Sequence, residues 1–265
     1  MLRPDQLARH LRLERSDCAP ELAPWVENHW SLRWDLPAGT SYVSSTLPHP
    51  AFNLSVEHGG VREATREDPV VVTGVPTKRF DVTIRDAGWV HGVKFRPGGF
   101  AALAGGHAGL LRDRTVPATE VLPGAACALL AEVGPDHSPD EAREAVEAAL
   151  RGLGAAPDPD YDTVLETIGV MFGDRTLVRV AQVEEACGVG TRSLQRLFQR
   201  YVGVSPKWVL SRYRMHDVVT ALDEGYDGSL ADLAAAYGWF DQAHFTREFT
   251  DLVGVPPRTY RRPEG

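Results

Sequence analysis

The sequence predicts an α+β protein of two domains, in which a β-rich half precedes an all-α half. Its 265 residues exceed the usual size of one domain, roughly 100–200 residues. The first part of the chain holds short segments rich in aromatic and β-branched residues, whereas the last third holds a repeated helical unit. Glycine and proline, which end helices, cluster between the two parts over Gly152–Pro159.

The domain boundary is expected in this glycine- and proline-rich stretch. The segment before it, Pro139–Leu153, reads as a helix because Ser138 can cap it and acidic residues fill its first turn. We therefore predict a first domain over residues 1–153, a linker over 154–160 and a second domain over 161–265.

Upstream of this helix the pattern predicts β-strands. Six segments combine aromatic, apolar and β-branched residues between turn signals: Trp25–Trp34, Ser41–Ser45, Ala51–Val56, Val70–Thr73, Phe80–Ile84 and Trp89–Phe95. Short strands at this spacing indicate an antiparallel sandwich or barrel. From Phe100 onward the pattern turns helical, so helices are expected to flank the sheet.

Composition narrows the class of protein. The chain is 43% hydrophobic and 24% charged, which is typical of a folded globular protein. Its apolar runs fall short of the ~20 residues that span a bilayer, and charges interrupt the N-terminal segment where a signal peptide needs an apolar core. The three cysteines are odd in number and far apart, which favours reduced thiols. These features predict a cytoplasmic protein with no membrane contact.

The net charge of −8 is distributed unevenly along the chain. Residues 174–262 contain 12 Lys and Arg against 11 Asp and Glu, whereas residues 1–173 contain 16 against 24. Six basic residues of the last third lie close together in sequence: Arg192, Arg196, Arg200, Lys207, Arg212 and Arg214. This clustering is compatible with a nucleic-acid partner, even though the whole chain is acidic.

The last third contains an internal repeat. Five residues recur 51 positions later in the same order: Arg196, Phe198, Gly203, Val204 and Pro206, matched by Arg247, Phe249, Gly254, Val255 and Pro257. Such self-similarity indicates a duplicated structural unit.

Each copy has the pattern of a helix-turn-helix, two short helices joined by a sharp turn. In the second copy the first helix ends at Gly238, and Asp241 caps a helix whose inward stripe is Phe245, Phe249 and Leu252.

In the first copy Gly188 supplies the turn and Thr191 is expected to cap the second helix. Between the copies, Trp208–Leu222 reads as one long helix that sets their separation. Arg212 and Arg214 on this connecting helix are candidates for DNA-backbone contacts, as is Thr191, with simple solvation of the surface as the alternative.

The second helix of each copy exposes residues that suit the major groove of DNA. Their outward positions hold Arg192, Ser193, Gln195, Arg196 and Gln199 in the first copy and Gln242, Ala243, His244, Thr246 and Arg247 in the second. Arg can form paired hydrogen bonds to guanine, and Gln can do so to adenine. A recognition helix enters the groove by its N-terminal turns. Solvation of an outer helix face is the alternative for any one of these residues.

Residues 174–262 resemble the DNA-binding domain of the AraC family of transcription regulators. The resemblance is carried by GWFDQAHFTREF, which starts at Gly238, and by GVPPRTYRR, which starts at Gly254. It implies two helix-turn-helix units, joined by a linker helix, that read adjacent major-groove segments. Carried over to this sequence, with Gln242 added from its outward position, the base-contacting residues are Arg192, Gln195, Arg196, Gln242, Ala243, His244 and Arg247.

Two positions depart from the family pattern. Glu184 lies where a small residue is usual in the first helix of a unit, so the first unit is expected to pack differently there. Ala243 offers only an apolar contact, such as one to a thymine methyl group, so the second unit is expected to read fewer bases.

The front half is similar to an N-terminal domain of some actinobacterial AraC-type regulators, through Gly92–Phe100 and Asp113–Pro117. Such domains resemble cupin-like sensory modules, which implies a small-molecule effector or a partner. Residues that could form the effector pocket are Trp30, Trp34, Phe52, Trp89, Phe95 and Arg96. The alternatives are that the aromatic residues form plain core and that Arg96 pins a turn.

No enzymatic chemistry, cofactor or metal is predicted. The histidines of the front half lack a paired His-x-His with a following Glu, and neither Gly-x-Ser-x-Gly nor Cys-x-x-Cys occurs. The leading hypothesis is a sequence-specific DNA-binding transcription regulator controlled through its front domain. The expected partners are double-stranded DNA, a small-molecule effector, RNA polymerase and a second copy of the chain. The alternatives are control by a protein partner and, less favoured, a cupin-type enzyme with a helical interaction tail.

Overall fold

A computed structural model describes residues 11–60, 68–154 and 156–261. Residues 1–10 and 262–265, which begin and end the two predicted domains, and residue 155 in the predicted linker lie outside these described residues. The described chain is an antiparallel sheet followed by helices, which confirms the predicted α+β class.

A seven-stranded antiparallel sheet forms the N-terminal half of the described chain. Its strands are β1 (Leu11–Ser16), β2 (Val26–Asp35), β3 (Ser41–Thr46), β4 (Asn53–Gly60), β5 (Val70–Thr73), β6 (Phe80–Phe95) and β7 (Thr115–Pro117). The order across the sheet is β1-β2-β6-β4-β5-β7, and β3 pairs with β6 outside this path.

The long strand β6 contains two segments that the pattern separates, Phe80–Ile84 and Trp89–Phe95. Its first part pairs with β3 and its second part with β2 and β4. Asp86 lies between the two parts with a φ of 50°, a left-handed conformation that Asp tolerates better than most residues. One strand therefore serves two sets of neighbours, which periodicity alone does not reveal. The pattern also missed β1, which is interrupted by charges, and the three-residue β7.

One helix lies between β6 and β7, and the others follow the sheet. The helices are α1 (Gly99–Ala104), α2 (Gly124–Ala131), α3 (Pro139–Arg151), α4 (Pro159–Gly173), α5 (Val180–Cys187), α6 (Thr191–Leu197), α7 (Pro206–Asp223), α8 (Leu230–Ala236), α9 (Gln242–Val253) and α10 (Pro257–Tyr260). Short 3-10 turns occupy Ala108–Leu111 and Ala118–Glu120, and a π-helical turn, Phe198–Val202, continues α6. None of the helices in the described ranges is long and apolar enough to cross a membrane.

Two helix starts confirm or refine the capping predictions. Ser138 caps α3, as the sequence predicts. The structure shows that it does so in a reciprocal capping box with Glu141. The next helix, α4, begins at Pro159 with Asp158 as its N-cap, so helical structure already starts within the predicted linker range 154–160.

Both helix-turn-helix units are present. Gly188 and Gly238 have φ values of 64° and 78°, the left-handed conformation that favours glycine at these turns. Asp241 caps α9 by accepting a hydrogen bond from the His244 N–H at 2.7 Å. Thr191, in contrast, is the first residue of α6, and the N-cap is Gly190, which makes no side-chain hydrogen bond. The prediction of Thr191 as the cap was wrong by one residue.

The two units have different cores. Residues of α5, α6 and the turn after α6, including Val183, Leu194 and Phe198, belong to the same buried cluster as the sheet residues Phe52 and Phe95. The second unit has a separate cluster, which joins the C-terminal half of α7 to α8, α9 and α10 and includes Leu47 from the loop after β3. The first unit is thus continuous with the N-terminal domain, whereas the second is nearly self-contained.

Candidate nucleic-acid interface

The second helix of the first unit, α6, presents one exposed face. Arg192, Gln195 and Arg196 are exposed, whereas Leu194 and Leu197 are buried below them. This division places all three predicted base-contacting residues of the unit on the side of α6 that is open to a ligand.

The corresponding helix of the second unit, α9, has the same division. Phe245 and Phe249 are fully buried and Leu252 nearly so, which confirms the predicted inward stripe. The predicted base-contacting residues of this unit all lie on the exposed face: Gln242, Ala243, His244 and Arg247. Because Arg196 and Arg247 are related by the repeat, the two helices expose an Arg at the same position.

The two arginines of the linker helix α7 that are predicted to contact the DNA backbone have partners within the second unit. Arg212 is only 7% exposed, and its guanidinium pairs with Glu248 at 2.9 Å. Arg214 lies over the Trp239 ring at 4.6 Å and donates to the Gly238 carbonyl oxygen at 3.2 Å. Burial lowers the pKa of both guanidinium groups. Burial removes Arg212 from any surface that could meet phosphate and so corrects that prediction. Arg214 is partly exposed, and its contact with the DNA backbone stays a prediction.

Glu248 organises this interior and was not singled out on the sequence. Besides Arg212, it accepts hydrogen bonds from Ser211 Oγ at 2.6 Å and Trp239 Nε1 at 2.9 Å. Burial acts to raise the pKa of Glu248, but these hydrogen bonds and the positive charge of Arg212 outweigh it and leave the pKa lowered. The repeat offers a signal for this residue, because Glu248 replaces the apolar Leu197 of the first copy.

Glu184, the departure noted in the first unit, does not enter the core. Its side chain is partly exposed, while its neighbour Val183 is fully buried. Its carbonyl oxygen accepts from the N–H groups of Gly188 and Val189, which closes the turn. The core of the unit therefore contains a valine at this point and no acidic group.

Arg196, one of the predicted base-contacting residues, is held by a carboxylate of the same chain. Arg196 Nη1 lies 3.3 Å from Asp160 Oδ2 at the start of α4, and Arg200 lies 3.8 Å from the same oxygen. The carboxylate of the adjacent Asp158 accepts from Tyr201 Oη at 2.6 Å. Burial and this hydrogen bond raise the pKa of Tyr201 to about 12. Two carboxylates at the start of α4 thus hold the end of α6 and the turn after it: Asp160 by its charge and Asp158 by the hydrogen bond from the Tyr201 phenol.

A cavity of about 390 Å³ opens on one face of the N-terminal sheet. Trp30 and Trp34 line it, as predicted for an effector pocket. Gly88 and Gly92 of β6 lie beneath these two rings, where any side chain would clash with the indoles. The wall also contains apolar residues of β1 and β6 and hydroxyl side chains of β3. The polar residues of β2 and β4, such as Asn28, Asn53 and Ser55, and the charged residues Arg15, Glu57 and Lys94 also line it and were missed on the sequence.

The other predicted pocket residues do not line this cavity. Phe52, Trp89 and Phe95 point to the opposite face of the sheet, where Phe52 stacks on Phe100 with ring centroids 5.1 Å apart. Arg96 is exposed and donates to the Ala23 carbonyl oxygen at 2.6 Å, so it pins a turn. Successive residues of a strand face opposite sides, and the even positions of β6 face the cavity while Trp89 and Phe95 are odd.

The cavity reaches the linker helix. His216 of α7 lines it, and the imidazole Nε2 of His216 lies 2.8 Å from the Pro48 carbonyl oxygen. His49 is beside it, with ring centroids 5.6 Å apart. Burial lowers the pKa of both imidazoles. One wall of the cavity is therefore part of the helix that joins the two helix-turn-helix units.

A second N-terminal contact reaches the end of α9. Arg79 of the loop before β6 donates to the Val253 carbonyl oxygen at 3.0 Å and pairs with Asp81 at 2.8 Å. Gly254 follows with a φ of 88°, and a side chain there would collide with Arg79. The second recognition helix is thus tied at its C-terminal end to the sheet domain.

A buried polar group connects the sheet to α3. His29 Nδ1 lies 3.2 Å from His91 Nε2, and His29 Nε2 lies 3.4 Å from Glu147. Burial lowers the pKa of each histidine to about 4, and the positive charge of Arg143 acts in the same direction. In the part of the chain that the structure describes, no three His, Cys, Asp or Glu side chains group as metal ligands would.

Comparisons with known protein families agree with this geometry. Residues 184–263 match a family described as a helix-turn-helix domain, and residues 14–117 match a domain of unknown function, DUF6597. The matched part of the chain contains α6, α7 and α9, so the family match covers both exposed helix faces.

Individual relatives carry related descriptions. The chain is 26% identical over 110 residues to an uncharacterized HTH-type transcriptional regulator of Haemophilus influenzae, a match that covers 42% of this chain and 36% of the relative. The matched segment thus spans about a third of that protein.

Two solved structures are also similar. An AraC-type transcriptional regulator structure from Chromobacterium violaceum is 21% identical, with 39% of this chain and 96% of that chain covered at a TM-score of 0.35. ToxT from Vibrio cholerae is 11% identical, with 95% of this chain and 98% of that chain covered at a TM-score of 0.44.

Proposed function

We propose that this chain is a transcription regulator that reads two adjacent major-groove segments of double-stranded DNA, one with α6 and one with α9. The observation that carries the proposal is the pair of exposed helix faces, each with an Arg at the same repeat position, joined by the single helix α7. Arg and Gln on such faces form paired hydrogen bonds to base edges.

The partners of Arg212 and Arg214 within the second unit support DNA contacts by α6 and α9 and not by α7. A linker that used both arginines on phosphate would leave Glu248 without its positive partners. Because Arg212 is buried beside Glu248 and Arg214 stacks on Trp239, α7 acts as a structural spacer, and the DNA contacts come from the helices at its two ends. Two recognition helices that enter the same face of a duplex lie about 34 Å apart, one helical turn.

The test is selection of DNA sites from a random library by the full chain, followed by footprinting of the selected sequence. We expect two protected major-groove segments about one helical turn apart and an affinity that falls with salt. The double variant Arg196→Ala with Arg247→Ala should lose this protection, while Arg12→Ala, which removes an exposed arginine of β1, should keep it. Selection that enriches no sequence at low salt would contradict the proposal.

We also propose that the cavity of the sheet domain takes a small-molecule effector. Its volume of about 390 Å³ falls within the range of ligand sites, roughly 300–1,000 Å³, and its wall combines two Trp side chains with neutral polar groups and the charged side chains of Arg15, Glu57 and Lys94. Because His216 of α7 forms part of the wall, a ligand that changes the position of His216 changes the spacing of the two DNA-reading helices. A homodimer and contact with RNA polymerase stay predictions.

A small-molecule library screened by thermal denaturation tests the effector site. A molecule that binds only the folded chain must raise its melting temperature. The variant Leu32→Trp fills the cavity and should abolish the shift, whereas Leu110→Ala, an exposed side chain elsewhere in the domain, should retain it. A shift that persists in Leu32→Trp would place the ligand elsewhere, and regulation by a protein partner would then be the better account.

A further inference from the structure

We infer that Phe240 is a DNA-contacting residue of the second unit and that it reads the 5-methyl group of thymine. This inference rests on the proposed DNA-binding function and adds a specificity-determining residue that lies before the recognition helix. Phe240 is 96% exposed, more than any other large hydrophobic residue in the described ranges, and it immediately precedes Asp241, the N-cap of α9.

The exposure of Phe240 is imposed by its two neighbours. Trp239 is buried, packs edge-on against Phe245 with ring centroids 5.2 Å apart, and donates to Glu248. Asp241 accepts the capping hydrogen bond from His244. Since both flanking residues are anchored, the backbone at Phe240 is held in place and its ring is directed away from the core of the unit.

The first unit has a different residue at this place. Val189 immediately precedes Gly190, the N-cap of α6, and is related to Phe240 by the 51-residue repeat. Val189 is partly buried and packs against the main core. An apolar residue before the recognition helix is therefore covered in one unit, while in the other a much larger apolar residue is offered to solvent.

The location of Phe240 indicates the kind of partner that covers it. Recognition helices enter the major groove by their N-terminal turns, so a residue next to the N-cap lies near the base edges. The one apolar group on the base edges of that groove is the thymine 5-methyl, which Phe can contact. Ala243, exposed at the same end of α9, adds a second small apolar surface. The second unit thus pairs an apolar N-terminal end with the hydrogen-bonding Arg247 one turn further on.

The experiment compares thymine with uracil in the selected DNA site, because uracil lacks only the methyl group. Each thymine of the segment protected by α9 is replaced in turn, and binding of the full chain is measured by fluorescence anisotropy. For the wild type we expect about fourfold weaker binding at one position, the effect of losing one buried methyl group. Phe240→Ala should bind thymine DNA at least as weakly as the wild type binds the uracil-substituted DNA. It should no longer distinguish thymine from uracil at that position.

Matched variants separate the alternatives. Leu110→Ala, which removes an exposed apolar side chain of the sheet domain, should bind and discriminate as the wild type does. If Phe240→Ala keeps the discrimination and Ala243→Ser loses it, the methyl is read by Ala243 and the inference is overturned. Equal losses on thymine and uracil DNA would assign Phe240 to the sugar-phosphate backbone and also overturn it. Absence of any DNA binding by the wild type would remove the proposed function and this inference together.

Folding of Phe240→Ala is checked by its thermal unfolding. Because the ring makes almost no contact within the chain, its removal should leave the melting temperature unchanged. A large fall in melting temperature would show that Phe240 packs within the protein, and this would also contradict the inference.

Discussion

The two helix-turn-helix units share a sequence pattern but differ in what holds them. The first is built into the large core of the N-terminal domain, and Tyr201, Arg196 and Arg200 fasten it to the start of α4. The second has its own small core around Phe245 and Phe249, with Glu248 at its polar centre.

The two copies of the duplicated unit are therefore positioned in different ways. The position of α6 is set by the sheet domain, so a change there acts on it directly. The position of α9 depends on α7 and on a few contacts from the sheet domain, namely Leu47, Arg79 and the hydrogen bond between His216 and Pro48. If the cavity takes the effector proposed above, the spacing between α6 and α9 is the quantity that this effector is expected to alter.

The largest expected effect is a loss of stability that is confined to the core of the second unit. Glu248→Ala leaves the guanidinium of Arg212 buried without its partner, and such a loss destabilises by about 3–5 kcal/mol. Hydrogen exchange should show lost protection in α8, α9 and α10 while α5 and α6 keep theirs. Glu224→Ala, at an exposed helix end, is the control. Equal loss of protection in both units would mean that they share one core.

The second expected effect is a dependence of the stability of the N-terminal domain and the first unit on pH. His29 and His91 are neutral in the folded chain, with pKa values of about 4, but bind protons near pH 6.5 when unfolded. Between these values the unfolded chain takes up more protons, so stability decreases as the pH falls, by about 3 kcal/mol for each histidine at most.

Urea unfolding at pH 6.5 and pH 4.5 measures this loss. The double variant His29→Gln with His91→Gln should show a flatter dependence of its unfolding free energy on pH. An unchanged dependence would mean that the pair already carries a proton in the folded state.

The smallest expected effect is a change in DNA affinity when the ion pair of Arg196 in α6 is removed. Arg196 must leave Asp160 to reach a base, and an exposed ion pair of this kind is worth roughly 0.2–1 kcal/mol. Asp160→Asn should therefore bind the selected DNA up to about fivefold more tightly. Asp232→Asn, in the second unit and remote from α6, serves as the control for loss of one negative charge. Weaker binding by Asp160→Asn would show that Asp160 orients Arg196 for DNA instead of competing for it.

Much of the helical half follows from local patterns. The 3.6-residue period of Trp208–Leu222 predicted α7 to within two residues, and the apolar residues that form this period are all buried: Val209, Tyr213, Val218, Val219 and Leu222. The exposed faces of α6 and α9 follow from the same period. What periodicity could not show is the pairing of Arg212 with Glu248, which are 36 residues apart and meet only when the second unit folds.

The sheet half was less predictable for the same reason. The strand segments were mostly recognised, but the face on which each aromatic residue lies depends on strand parity and pairing. Trp30 and Trp34 line the cavity while Trp89 and Phe95 enter the core, although all four belong to aromatic-rich strand patterns. Phe240 went unnoticed because exposure of an aromatic residue inside a family signature is visible only in three dimensions.

If the proposed DNA binding is right, α6 and α9 read separate segments of one DNA site. Hydroxyl-radical footprinting of the wild type, Arg196→Ala and Arg247→Ala on the same selected site tests it most directly. Each substitution should lower affinity by roughly 1–3 kcal/mol and weaken protection in one segment only, with the two affected segments about one helical turn apart. Loss of protection in the same segment for both variants, or in neither, would contradict the account.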